Sequence, residues 1–193
     1  VSFITGTQAE LLYSLPAAVT KNTYTTQACM SALAATAPVA KIAGGFFSEN
    51  PNPLGRALYL KAFGTIATTS AATFSPAIAL DSTAGTALNP ITIYSTVAPT
   101  AAVTAQWDVE AWITCQAFGE TAGMTLQVNG KWTQASVATG GALNSTGWGA
   151  SFAGSLTGLT PATTYFVELF GTWSASAAGN TTTLQQMFLF GLN

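Results

Sequence analysis

Histidine is absent from this chain, and only twelve of its 193 residues are charged, five Lys or Arg and seven Asp or Glu. Without an imidazole there is no Ser-His-Asp triad, no Cys-His pair and no common zinc set. A domain of ordinary composition carries about 25% charged residues; this one carries 6%. The surface expected from the mass is about 8,600 Å², so there is roughly one charge per 700 Å². That is too sparse to keep a free monomer comfortably soluble. The basic residues Lys21, Lys41, Arg56, Lys61 and Lys131 are scattered and form no run. They cannot neutralise a phosphate track, so direct nucleic-acid binding is not expected.

Long apolar runs are missing too. Mean hydropathy is positive, at +0.38, yet every apolar stretch is broken by Pro, Gly, Thr or a charge well before the ~18 residues of a membrane span. No membrane partner is expected. The opening Val1–Gly6 has neither the charged nor the apolar region of a signal peptide. There are only two cysteines, Cys29 and Cys115, too few for a disulfide framework. One bridge or two separately buried thiols would fit, and the second reading suits assembly in a reducing cytoplasm.

What replaces the charge is Thr, Ser, Ala, Gly and Asn, small neutral residues suited to close contact between chains. With 49% apolar residues, including 11 Phe, 5 Trp and 5 Tyr, the chain has material for one core. These features point to a protein that lives inside an assembly. Helical periodicity of any length is absent. From about residue 38 the chain alternates apolar and small polar residues, as strands separated by turns do.

The strand runs are 39–42, 56–68, 73–80, 91–97, 104–118, 124–135, 149–156, 165–174 and 183–192. Pro76 suggests an edge or a bulge in the third. In the second, Leu58, Leu60 and Ala62 share one face and Tyr59, Lys61, Phe63 and Thr65 the other. In 104–118, Trp107, Val109, Ala111, Ile113 and Cys115 oppose Asp108, Glu110, Trp112 and Thr114. The fold class is therefore all-β, an antiparallel β-sandwich of jelly-roll type, over residues 36–193. Residues 1–35 read as an extended arm. They hold an apolar patch ending at Pro16, a β-prone run at 23–26 and a short helical turn over 28–35. Such an arm packs on its own body or on a neighbouring chain.

Sites for chemistry are few. Asp108 and Glu110 share a strand face and would suit a glycosidase pair, but an exposed or interface-facing strand explains them better. Asp81 reads as a turn residue. No calcium-loop pattern exists. The acceptor patterns Asn144-Ser145-Thr146 and Asn180-Thr181-Thr182 read as ordinary loops, and Gly130-Lys131-Trp132 as a turn before a strand. No cofactor and no catalytic residue is expected. Tryptophans 107, 112, 132, 148 and 173 either fill the core and interfaces or offer a sugar platform. Trp148, in the loop 144–149, has the setting most open to a ligand. The segment 60–66 echoes 167–173, which is either coincidence or a sign of equivalent sheet positions. In the second case Lys61 and Glu168 meet as a cross-strand pair.

The order Ala40-Lys41-Ile42-Ala43-Gly44-Gly45-Phe46-Phe47, then Leu54-Gly55-Arg56-Ala57-Leu58-Tyr59-Leu60-Lys61-Ala62-Phe63-Gly64-Thr65, resembles virion proteins of tailed bacteriophages. A Thr-rich hairpin and Trp107-Asp108-Val109-Glu110-Ala111 continue the likeness, which spans about residues 38–193. It implies a jelly-roll module on a phage particle, often trimeric, with no catalytic residues. The expectation is a non-enzymatic capsid decoration (cement) protein in the virion, assembled in the host cytoplasm. It would bind itself as a homotrimer and the major capsid protein on the outer capsid surface. Phe3, Leu11, Leu12, Tyr13 and Leu15 of the arm would supply contacts. A tail or fibre module recognising host glycan through Trp148, and a jelly-roll coat protein, are the alternatives.

Overall fold

A computed structural model describes residues 9–22, 24–26, 28–31, 40–47, 56–68, 72–85, 90–92, 103–119, 123–137 and 143–192. Its strands are β1 (Ala9–Ser14), β2 (Val19–Asn22), β3 (Ala28–Cys29), β4 (Ala40–Ile42), β5 (Ala57–Thr68), β6 (Phe74–Asp81), β7 (Pro90–Thr92), β8 (Val103–Ala117), β9 (Met124–Val137), β10 (Leu143–Leu159), β11 (Tyr165–Trp173) and β12 (Thr181–Leu192). Among the described residues there is no helix. Two antiparallel sheets form a β-sandwich. The larger has the order β1-β12-β5-β8-β9-β10, with β2 also on β12; the smaller has β3-β11-β6-β7, with β4 also on β11. Residues from both sheets share one hydrophobic cluster.

Alternation decides what enters that cluster. On β5, Leu58, Leu60, Ala62 and Ile66 are buried, while Tyr59, Lys61 and Phe63 face outward. On β8, Trp107, Val109, Ala111, Ile113 and Cys115 are buried, as their period of two requires. Trp107 stacks on Trp132 of β9, with ring centroids 4.8 Å apart and planes 12° from parallel. Trp173 of β11 meets Phe74 of β6 at 5.0 Å. Three of the five tryptophans thus fill the core. Gly130 makes room for this packing, because a Cβ there would lie 2.3 Å from the Phe152 ring.

Pairing is nested along the chain. β1 and β2 pair with β12, β3 and β4 with β11, β5 with β8, and β6 with β7. β9 and β10 widen the larger sheet beyond β8.

Part of the segment read as an arm, β1 and β2, is in the larger sheet. β1 and β2 lie end to end along one edge of β12, as a strand broken at Pro16, which has no N–H to give. The Leu15 N–H still reaches the Met187 carbonyl at 2.9 Å. A bulge at Leu12 sets Leu11 opposite Phe190 and Tyr13 opposite Leu189. The extra residue turns Leu11 to the outside and Tyr13 to the core. Tyr13, Leu15 and Val19 are all buried there. Tyr13 and Leu15 therefore pack into the chain's own core. Leu12 is half-buried against the same core, and Phe3 lies outside the described residues.

Other expectations need correcting. Lys61 and Glu168 do not meet: β5 and β11 belong to different sheets, and the two side chains project from opposite outer faces. The echo between their segments reflects strand chemistry, not equivalent positions. Residues 28–29 are a strand rather than helix, and 24–26 lie outside any strand. β6 pairs on both sides without a bulge, and Pro76 falls just before the three residues that pair with β7. Its missing N–H therefore breaks no ladder on that side. The expected loop 144–149 is within β10, where Trp148 lies opposite Gln134; its side chain is outside those described. Cys29 and Cys115 are free thiols, on β3 and β8 of different sheets.

Candidate interaction surface

The outward positions of the larger sheet form continuous rows, because the register is unbroken across its centre. One row runs Leu11–Phe190–Tyr59–Trp112–Asn129–Ala153, one residue from each of six strands. Leu11 is 53% exposed and Trp112 48%. The Tyr59 ring lies 4.8 Å from Trp112, tilted by 43°, and 6.2 Å from Phe190. Phe188 extends the cluster at 6.2 Å from Phe190. Ala9, Tyr59, Trp112, Phe190 and Leu192 line a shallow groove of about 230 Å³. A solvated sheet face usually carries polar residues at such positions.

The next row is Ser14–Phe188–Lys61–Glu110–Lys131–Ser151. Lys61 Nζ donates to Asp108 Oδ2 at 2.7 Å and to Glu110 Oε1 at 2.5 Å. Burial alone would depress the ammonium, but these two bonds outweigh it and hold Lys61 above its usual value. The bond from Lys61 lowers the Glu110 carboxyl, with Lys131 assisting. Asp108 and Glu110 are thus both tied to one cation. Glu110, lowered by that contact, lacks the raised pKa of a general acid.

The smaller sheet carries a different polar group on its outer face. Glu168 is fully buried. Its two carboxylate oxygens accept from the Gly85 N–H at 3.1 and 2.8 Å, and Cys29 Sγ donates to Oε1 at 3.4 Å. Burial pushes the Glu168 carboxyl up, and the Gly85 and Cys29 bonds only partly offset this. Burial also raises the Cys29 thiol, to about 11. A thiol so rarely ionised is a poor nucleophile. The group anchors the turn after β6, where Gly85 has φ 77°.

Of the residues singled out in the sequence, the structure brings Leu11 and Lys61 to the outer face. Tyr13, Leu15 and Glu168 are buried elsewhere. Tyr59, Trp112, Phe188 and Phe190 were missed as a group. The signal existed, since alternation already puts Tyr59 and Trp112 on the side of Lys61 and Glu110. Only strand register joins them to Phe190 and Leu11. Asn180, an apparent glycosylation acceptor, is buried, with its amide donating to the Ala175 carbonyl and accepting from Thr68. No family model matches this chain, and neither a curated protein nor a solved structure shows significant similarity to it.

Proposed function

We propose that this chain is a non-enzymatic structural protein of a virion, decorating the outer capsid surface through contacts with the major capsid protein and with copies of itself. The observation that carries this reading is the outer face of the larger sheet. An aromatic and aliphatic row stands in solvent there, on a chain with 12 charges in 193 residues. A neutral surface buries without desolvating unpaired ions, and apolar area contributes about 25 cal/mol per Å² on association. The strand order supports the jelly-roll part of this reading. With β1/β2 and β3/β4 each taken as one broken strand, the nested pairing reads as a jelly roll of two four-stranded sheets with a β9–β10 hairpin added.

Quantitative mass spectrometry of purified particles, against the major coat subunit, tests this reading. Hundreds of copies per particle are expected. Absence from the particle, or a handful of copies, overturns decoration. A second reading has one observation in its favour: Trp112 is an open ring with exposed Asn129 beside it and Glu110 in the next row. That arrangement suits a sugar stacked on the indole with its hydroxyls on the polar neighbours. It requires saturable binding on a host-glycan panel, weakened by Trp112→Ala; a blank panel removes it.

A further inference from the structure

We propose that the outer face of the larger sheet is where two copies of this chain pack against each other, about a two-fold axis parallel to the strands between β5 and β8. The proposal rests on the reading of the chain as a self-associating subunit and names the surface and the partner.

The extent of the face is adequate. Six strands at about 4.8 Å spacing span roughly 24 Å, and a dozen residues along β5 and β12 run roughly 40 Å. The product, about 1,000 Å², is close to the ~800 Å² per partner of a stable interface. Composition follows the same pattern. Tyr59 and Trp112, on the two strands beside the axis, form an aromatic centre, while Gln127, Asn129, Thr133 and Ser155 lie toward the β9–β10 edge. Stable interfaces have an apolar core and polar surroundings.

Charge selects the second copy as occupant. Among the described residues the charges projecting from this face are Lys61, Lys131, Asp108 and Glu110, two of each sign, so identical faces do not repel. Register then fixes the axis. A two-fold between β5 and β8 exchanges these strands, and residues paired across them come to face each other between copies. Tyr59 faces Trp112 of the second copy, and Lys61 faces its Glu110. β12 comes over β9, so Phe188 faces Lys131 of the second copy, a cation over an aromatic ring. An axis across the strands would instead set the charged row against Ala57 and Thr114 and leave it without partners. Since Lys61 and Lys131 together balance Asp108 and Glu110 within one chain, closing the interface buries no net charge. Each contact occurs twice, as an isologous interface requires.

Sedimentation equilibrium of the full chain over a wide concentration range tests this. A monomer–dimer equilibrium is expected, weakened roughly tenfold or more by Trp112→Ser, the scale of a buried aromatic anchor. Because Trp112 is about half exposed in the monomer, the variant should keep the wild-type melting temperature at concentrations where both are monomeric. If it fails to fold, Leu11→Ser on the same row serves in its place. A strictly monomeric chain overturns the proposal, and so does a dimer indifferent to both substitutions. A mass of three copies overturns the two-fold axis. None of these results touches particle copy number, so the decoration reading fails or survives separately.

Discussion

Glu168 and Glu110 are both carboxylates on outer sheet faces, yet burial and partners move them in opposite directions. Glu168 sits above its ordinary value because burial disfavours its charged form. As pH climbs through the ordinary glutamate range, the unfolded chain ionises before the native one. The stability linked to Glu168 is therefore complete below its unfolded pKa and is lost as pH rises through its folded pKa. Glu110, lowered by Lys61, has the reverse sign. Its contribution is present above the unfolded pKa and is lost as pH falls through the folded one. The Lys61 cluster is about one-third exposed, so solvent screens it and each pair is worth about 0–1 kcal/mol. Glu168 is the stronger handle. Glu168→Gln keeps an acceptor for Gly85 and removes the ionisation. Melting temperatures across the acid-to-neutral range should show the variant nearly flat where the wild type declines, and the variant should be the more stable at neutral pH. Parallel curves would mean that Glu168 does not ionise differently in the folded chain.

At the scale of elements, the broken strand β1/β2 shows what a single strand contributes. It covers one edge of β12 and brings Tyr13, Leu15 and Val19 into the core. Leu15→Ala should cost about 2–5 kcal/mol, as buried leucines do, measured by urea unfolding. A chain lacking residues 1–22 should melt far lower or aggregate, since Leu184, Met187 and Leu189 lose their cover and the β12 edge opens. An unchanged midpoint for Leu15→Ala would show that the segment docks weakly on its own body. The same strand marks the limit of sequence reading. β5, β8, β9, β11 and β12 are long alternating runs, and alternation places each of them within a few residues. β1 hides its period behind the bulge at Leu12 and the break at Pro16, so it reads as an arm. β10 hides its own in Gly, Ser and Thr, which have no preferred face. For the surface, alternation tells inside from outside on each strand. Which outward residues of different strands become neighbours depends on register, which one strand's sequence does not contain.

Across the whole molecule, nested pairing makes the last strand the condition for the rest. β12 is hydrogen-bonded to β5 on one side and to β1 and β2 on the other, and Ala9 lies opposite Leu192. The larger sheet thus joins strands far apart in sequence, β1 and β12, a topology of non-local contacts that folds in milliseconds to seconds rather than microseconds. Without β12, β5 loses a partner along its full length, and β1/β2 have nothing to pair with. The hairpins β8–β9 and β9–β10 stay local, yet their apolar faces lose Leu184, Met187 and Leu189 from the shared core. A chain ending at Asn180 should therefore show no cooperative melt. Its near-ultraviolet circular dichroism should lack the signal of the stacked Trp107–Trp132 pair. If that signal persists with a sigmoidal transition, β5 through β11 fold by themselves and β12 is an addition to a finished domain. The burial of β5 argues for the first outcome, because Leu58, Leu60 and Ile66 are sealed in a core that β12 helps to close.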